Sequence, residues 1–202
     1  MYRLYGSLGS GSAAVEAALA ETGASYEVAV IDTKEDAHLS ETFRRINPRQ
    51  QVPALQLPDG SVMTEGSAML LHLADAFPEA DLAPRPGTPA RAQHDRWLIF
   101  AAVNIYEGEL RHFYPDRYGE NAASIAETAV AYIERHYGIL EDAIAGPFFF
   151  GDRISMLDLY LWNLATWMDP ERLAARFPKV HALMTGVRTR PLVAPIDAAH
   201  SE

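Results

Sequence analysis

The residues best suited to chemistry lie in a glycine-rich turn near the start of the chain, Gly9-Ser10-Gly11-Ser12-Ala13-Ala14. The segment matches the pattern G-x-G-x-x-G/A, and an acid, Asp32, follows about 20 residues later, as it does where a dinucleotide binds. A turn that opens a helix also presents free N–H groups and the positive end of the helix dipole, which stabilise any anion, including a thiolate. The residues of this turn alone leave both interpretations open.

The segments around this turn predict a small α/β unit, because alternating apolar residues are typical of strands and an alanine-rich stretch is typical of a helix. Pro58-Asp59-Gly60 favours a tight turn, which predicts a hairpin from the residues on either side of it. The predicted strands are 2–6, 26–32, 52–57 and 61–64, and the predicted helices of this part are 12–22, 37–46 and 66–77.

A proline-rich stretch separates this unit from a helical one. Residues 78–89 hold four prolines, which exclude a helix or a central strand, and Thr88-Pro89 is typical of a helix start. From there on, apolar residues recur with the period of helices, and Ser155 with Asp158 forms a capping-box pattern. A dinucleotide-binding fold needs several more parallel strands, which disfavours that interpretation. The expected organisation is a first domain at 1–77, a linker at 78–88 and an all-helical second domain at 89–202.

Composition removes several classes of function. The 202 residues include 17 Lys and Arg against 27 Asp and Glu, and the resulting charge of −10 would repel a nucleic acid. The longest apolar run, residues 97–103, is far shorter than the roughly 20 residues that span a bilayer, so no membrane partner is expected. The absence of cysteine excludes a protein thiol nucleophile, and the histidine spacing predicts no metal site. The start lacks a secretory signal, which indicates a cytoplasmic protein.

Several motifs then resemble a known family. Residues 47–55 read NPRQQVPAL, residues 63–69 read MTEGSAM, and residues 151–158 read GDRISMLD. Together with the proline-rich linker and the helical second part, they resemble the cytosolic glutathione S-transferases, and most of all the bacterial ones. The resemblance implies a thioredoxin-like α/β N-terminal domain, an all-α C-terminal domain and a homodimer. It also implies a detoxifying transferase that uses glutathione as co-substrate against a small hydrophobic electrophile.

The resemblance assigns glutathione binding to two loops of the first domain. The residue before a cis proline would pair its backbone with the cysteinyl part of glutathione, which makes Val52 and Pro53 the central pair. Glu65 would accept the ligand ammonium, although an acid also suits a first helical turn. Many relatives have serine where this chain has Gly66, which removes one hydroxyl donor. Gln51 either contacts the ligand or is a solvated loop amide. The implied glutathione-binding residues are Gln51, Val52, Pro53, Glu65, Gly66 and Ser67.

Such a transferase must ionise a thiol whose ordinary pKa is about 8.5, and lowering that pKa by about two units takes roughly 2.7 kcal/mol. One charge-assisted hydrogen bond together with a helix N-terminus supplies that amount. By resemblance the donor is Ser10, Ser12 or Tyr5, with Ser10 favoured and Ser12 second. Ser12 also fits a helix N-cap, and Tyr5 also fits a core aromatic. Without cysteine, a serine- or tyrosine-type enzyme is expected.

The electrophile would lie between the domains, against the first long helix of the second. By the same resemblance Tyr106 takes the place of a histidine that bacterial relatives hold beside the thiol. It can donate a hydrogen bond to a thiolate or a leaving group, although an ordinary core aromatic is the favoured interpretation of this position. The expected wall also includes Trp97, Phe100, Asn104, Arg111 and Tyr114. Two other functions stay open at this point. One is a non-catalytic binding protein with the same fold, and the other is a different glutathione-dependent activity, such as a peroxidase, an isomerase or an ether-cleaving enzyme.

Overall fold

The computed structural model describes residues 1–201, and its first half is built on a mixed sheet. The strands are β1 (Tyr2–Gly6), β2 (Tyr26–Val30), β3 (Ala54–Gln56) and β4 (Val62–Met63), in the order β2-β1-β3-β4. β1 pairs in parallel with β2 and antiparallel with β3, which places Leu4 opposite both Val28 and Leu55. The four predicted strands are confirmed, with β2, β3 and β4 shorter than predicted. Among residues 1–201 only β1 and β2 pair in parallel, so the dinucleotide-binding interpretation is wrong.

Three α-helices complete this half: α1 (Ser12–Glu21), α2 (Glu41–Ile46) and α3 (Gly66–Ala76). A 3₁₀ turn at Ala37–Leu39 precedes α2, so the helix predicted over 37–46 is divided in two. The most deeply buried of the three α-helices is α1. The small side chains of Ala13, Ala14 and Ala17 are almost fully buried, which allows the backbone of α1 to lie close to the sheet. Because the glycine-rich turn leads directly into α1, this packing fixes where the N-terminal end of the helix lies.

The second half is helical. Its first helix, α4 (Pro89–Phe100), continues through a π-helical segment, Ala101–Tyr106, into α5 (Glu107–Phe113). The remaining helices are α6 (Ala122–Ala143), α7 (Met156–Ala165), α8 (Pro170–Arg176), α9 (Pro178–Arg188) and α10 (Ala194–His200). All ten residues of α7 are buried, so α7 forms the centre of this half. Thr88 caps α4 by accepting a hydrogen bond from the Arg91 N–H at 3.2 Å, as its sequence pattern predicted.

The start of α7 is held by the capping box that the sequence predicted. Asp158 is fully buried, and its carboxylate accepts hydrogen bonds from Phe149 N, Ser155 N and Ser155 Oγ, each at 2.7 Å. Burial raises the pKa of Asp158 to about 6, because the charged form is disfavoured away from water. Asp158 therefore joins the loop at 149 to the helix, which is a structural role.

The two halves are joined by a charged contact between α3 and α4. Arg91 is 7% exposed, and its guanidinium donates to both carboxylate oxygens of Asp75 at 2.7 and 3.2 Å and to Asp95 at 2.6 Å. The proposed linker, residues 78–88, runs beside this contact, where Leu82 is buried and its carbonyl accepts from Met156 N at 2.8 Å. Within residues 1–201, no helix has the length and apolar character needed to cross a membrane.

Candidate active site

A cleft of about 560 Å³ opens between loops of the first half and the long helix that begins at Pro89. The loop before β3, the turn that opens α3 and one face of the long helix form its walls. The cleft is lined by all six residues that the resemblance associates with glutathione, namely Gln51, Val52, Pro53, Glu65, Gly66 and Ser67. The fold therefore brings the two sequence motifs together, although the role of each residue in binding stays a prediction.

The loop before β3 is held in shape by Asn47, a residue to which the sequence assigned no role. Asn47 is 2% exposed, its Nδ2 donates to the Gln51 carbonyl at 2.6 Å, and its Oδ1 accepts from Arg49 N at 3.0 Å. The loop then enters β3 through a Val52–Pro53 peptide bond that is cis, as the resemblance implied. Asn47 therefore positions the stretch of backbone that faces the cleft.

The turn that opens α3 places a carboxylate and a helix N-terminus side by side. Glu65 stands at the N-cap with a φ of 67°, a region that residues other than glycine adopt at a cost of roughly 1–3 kcal/mol. Its carboxylate pairs with the Arg49 guanidinium at 2.8 Å. The backbone N–H groups of Gly66, Ser67 and Ala68 belong to the first turn of α3, where a helix offers no internal acceptors, and all three residues line the cleft.

The structure leaves room for a side chain at Gly66. A β-carbon at this position would meet no atom closer than Tyr160 Cε2, at 4.0 Å. A serine would therefore fit, as it does in many relatives by the resemblance stated above. Polar contact at this end of the cleft depends on the backbone of α3 and on the Ser67 side chain, which is 7% exposed and lines the cleft.

The three hydroxyls predicted to activate a thiol do not line the cleft. Ser10 Oγ donates to the Ser7 carbonyl at 2.6 Å and lies 2.8 Å from Ser12 Oγ, and Ser12 is only 2% exposed. Both serines thus brace the turn before α1. The N-cap of α1 is Gly11, so the N-cap interpretation of Ser12 is wrong. Tyr5 directs its hydroxyl to Gln56 Oε1 at 3.4 Å, on the sheet.

Gly11 and Tyr106 occupy the part of the cleft next to the cis proline. A β-carbon on Gly11 would lie 3.3 Å from Tyr106 Cε2, 3.9 Å from Tyr106 Oη and 3.8 Å from Pro53 Cδ. The Tyr106 hydroxyl makes no hydrogen bond to any residue within 1–201. Burial raises the pKa of Tyr106 to about 12, so the hydroxyl remains protonated and is a hydrogen-bond donor at neutral pH.

The position of Tyr106 depends on the π-helical segment Ala101–Tyr106. The Glu107 N–H bonds to the Ala102 carbonyl five residues earlier, instead of the four-residue spacing of an α-helix. Such π-helical turns frequently occur at functional sites. The residues that the helix contributes to the cleft are Ile99, Ala102, Val103, Tyr106 and Glu107.

The predicted electrophile wall is therefore only partly assembled. Of Tyr106, Asn104, Arg111 and Tyr114, only Tyr106 lines the cleft. Asn104 lies on a different face of the helix from Tyr106 and turns toward α6, where its Oδ1 accepts from the Tyr132 hydroxyl at 2.7 Å. Arg111 faces Glu107 at 3.7 Å, and Tyr114 is 48% exposed beside Arg117. Trp97 packs against Phe100 and Phe149, which also leaves it outside the cleft.

Comparison with known proteins agrees with this architecture. The family models of the glutathione S-transferase N-terminal and C-terminal domains match residues 12–76 and 89–186. An uncharacterised glutathione S-transferase-like protein of Escherichia coli K12, YncG, is 31% identical over 83% of this chain and 82% of its own. The chain belongs to the glutathione S-transferase family.

Solved structures of other glutathione S-transferase family members show the same fold over the whole chain. A glutathione transferase from Methylococcus capsulatus is 31% identical and superposes with a TM-score of 0.85, covering 100% of this chain and 99% of its own. A homologue from Sulfitobacter, solved with bound glutathione, is 26% identical with a TM-score of 0.90, covering 98% and 97%. Within residues 1–201 of this family member, no His, Asp and Glu side chains cluster as a metal site would require.

Proposed function

We propose that this protein is a glutathione transferase that binds glutathione in the cleft, stabilises its thiolate and directs it to a hydrophobic electrophile. The observation that carries the proposal is the single cleft lined by both predicted glutathione-binding loops, with the Tyr106 side chain close to Gly11 and the cis proline. The Sulfitobacter homologue with bound glutathione supports it. As the family resemblance implies, the proposal includes a homodimer that works in the cytoplasm.

The cleft matches the charges of glutathione. The ligand carries one ammonium and two carboxylates, and the cleft offers Glu65 for the ammonium and the N-terminus of α3 for the γ-glutamyl carboxylate. Arg49, which is 2.8 Å from Glu65, orients that carboxylate, and it also offers a cation to the ligand. The backbone at Val52 would pair with the cysteinyl part, as an added strand pairs with a sheet edge.

The thiolate would lie between Gly11 and Tyr106. A charge-assisted hydrogen bond from the Tyr106 hydroxyl contributes about 1.5–3 kcal/mol, and the N-terminus of α1 adds about 0.3–1 kcal/mol. Together they reach the roughly 2.7 kcal/mol that a shift of two pKa units requires. We therefore propose Tyr106 as the hydrogen-bond donor. Ser10 is the second candidate, since it would have to exchange its hydrogen bond to Ser7 for one to sulfur.

The apolar face of the long helix would hold the electrophile. Ile99, Ala102 and Val103 lie on this face and offer no charge to a leaving group. The sulfur would donate an electron pair to the electrophilic carbon, a carbon–sulfur bond would form, and the leaving group would depart with the electron pair of its broken bond. Tyr106 would donate its hydrogen bond to the thiolate before attack.

A non-catalytic glutathione-binding protein is the second candidate function. It is favoured by the placement of Ser10, Ser12 and Tyr5 outside the cleft, which leaves Tyr106 as the donor nearest to Gly11. The two functions differ in whether bound glutathione ionises at a lower pH than free glutathione. A lowered thiol pKa favours the transferase, and an unchanged one favours the binding protein.

Calorimetric titration with glutathione tests the proposal, with Glu65→Gln as the variant and Glu41→Gln as its control. Glu41 is an exposed glutamate that is paired with Arg44 on α2, outside the cleft, so its substitution removes the same charge without touching the proposed site. We expect saturable binding to the wild type, about tenfold weaker binding to Glu65→Gln, and no change in the control. No heat at millimolar glutathione would overturn the proposal.

A further inference from the structure

A second cavity, partly open to solvent, is formed by α5, α6, the turn before α8 and the first turn of α8. Its volume is about 180 Å³, and it shares no lining residue with the cleft. One wall is apolar and includes Ile133, Trp167 and Met168. The cavity is several times the roughly 30 Å³ that a water molecule occupies in the liquid, and smaller than the roughly 300–1,000 Å³ of a drug-sized site. Its size therefore suits a ligand with a few heavy atoms.

Glu109 supplies the unusual feature of this cavity. Glu109 is 3% exposed and lines the cavity. Its carboxylate makes no hydrogen bond or ion pair with any residue within 1–201. Burial raises the pKa of Glu109 to about 7, so a large part of the population is ionised at neutral pH. A buried carboxylate without a partner is costly, and natural proteins normally pair it with a cation or a hydrogen-bond donor.

The groups that face Glu109 leave the cavity with an excess of negative charge. Glu134 is paired with Arg172 and Arg176, so these cations are already engaged. Asp169 also lines the cavity and uses its carboxylate to cap α8. The other polar groups near Glu109 are the His112 ring, whose Nδ1 has no hydrogen-bond partner, and the buried Tyr137 hydroxyl, which also has none.

We propose that this cavity binds a small organic cation, a primary alkylammonium whose nitrogen pairs with Glu109 and whose chain lies on Ile133, Met168 and Trp167. The ammonium supplies the missing partner of the carboxylate and is attracted by the surplus of carboxylates over guanidinium groups. The apolar wall accommodates the alkyl chain, and an indole ring attracts cations through its π face. This site does not depend on the proposed transferase activity.

Trp167 offers a direct readout of occupancy. Its indole lines the cavity and also packs against the Tyr106 ring, with a centroid separation of 5.8 Å. A ligand in the cavity is therefore expected to move the NMR resonance of the Trp167 indole N–H. Because Trp167 also contacts Tyr106, the ammonium is titrated in the absence of glutathione, so that the resonance reports the cavity alone.

The test is an NMR titration of the full chain with n-butylammonium chloride, with 1-butanol as the uncharged ligand of the same length. The variant is Glu109→Gln, and the control is Glu127→Gln, an exposed glutamate on α6 that does not line the cavity. We expect saturable shifts with the ammonium, at least about tenfold weaker binding in Glu109→Gln, and unchanged binding in the control. We expect no saturable binding of 1-butanol.

The pH dependence of the wild type gives a second readout that needs no variant. Because the ammonium pairs with an ionised Glu109, its affinity should fall as the pH is lowered from about 8 to about 6. The absence of saturable shifts, equal binding to Glu109→Gln, equal binding of 1-butanol, or an affinity independent of pH would each overturn the proposal. If Glu109→Gln does not fold, the wild-type pH series and the 1-butanol comparison decide.

Discussion

Replacing Glu109 with glutamine should stabilise the protein at alkaline pH and remove part of its pH dependence. Burial raises the pKa of this carboxyl from 4.5 to about 7, so the folded state holds its proton more tightly than the unfolded state does. A shift of about 2.5 units corresponds to about 3 kcal/mol at 1.36 kcal/mol per unit. Because the folded-state pKa is the raised one, stability is lost as the pH rises through the window from about 4.5 to about 7.

Urea unfolding of wild type and Glu109→Gln at a fixed protein concentration measures this effect. The free energy of unfolding of the variant relative to the wild type should rise by about 2–3 kcal/mol between about pH 5 and about pH 8, in buffers free of amines. Glu127→Gln, which changes an exposed glutamate, should show no such trend. A difference between Glu109→Gln and wild type that is the same at every pH would refute the reasoning about the buried carboxyl.

Two further substitutions test the architecture and the cleft. Asp158→Ala leaves the backbone and hydroxyl donors of Ser155 without their buried acceptor, so urea unfolding should show that the free energy of unfolding falls by roughly 3 kcal/mol or more. Unchanged stability would argue against the structural role of Asp158. Gly11→Ala places a β-carbon 3.3 Å from Tyr106 Cε2, so calorimetry should show about tenfold weaker glutathione binding. The control is Gly138→Ala, whose β-carbon meets no atom within 4 Å, and this variant should bind glutathione as the wild type does. Equal affinity in both alanine variants would contradict the close approach of Gly11 to the ring.

The features predicted from the sequence are those with local signals. Alternating apolar residues predicted the four strands. The Thr88-Pro89 pair predicted the start of α4, and the Ser155 to Asp158 spacing predicted the capping box of α7. The two loop motifs likewise named residues that share one cleft, because the family resemblance carries three-dimensional information that periodicity does not. These signals were sufficient for the fold and for one side of the candidate site.

The electrophile wall and the placement of the serine hydroxyls were not predicted correctly from the sequence. The expected electrophile wall combined residues from different faces of the long helix. Asn104 and Arg111 lie two residues before and five residues after Tyr106, whereas the helix residues that line the cleft follow ordinary helical spacing, at 99, 102, 103, 106 and 107. The serine hydroxyls were assigned to a ligand, whereas the structure uses Ser10 and Ser12 to brace the turn through Ser7. The serine contacts are local in the sequence, but the residue type alone does not determine whether such a hydroxyl bonds the backbone of its own turn or a ligand.

The central claim, that Tyr106 stabilises a glutathione thiolate in the cleft, is tested most directly by the pH titration of bound glutathione followed by thiolate absorbance. In the wild type the thiol pKa should fall about two units below its ordinary value of about 8.5, and in Tyr106→Phe it should return at least about one unit toward that value. Tyr5→Phe, whose hydroxyl faces Gln56 on the sheet, should behave as the wild type. A bound thiol that titrates as free glutathione does, or an identical pKa in wild type and Tyr106→Phe, would contradict the account.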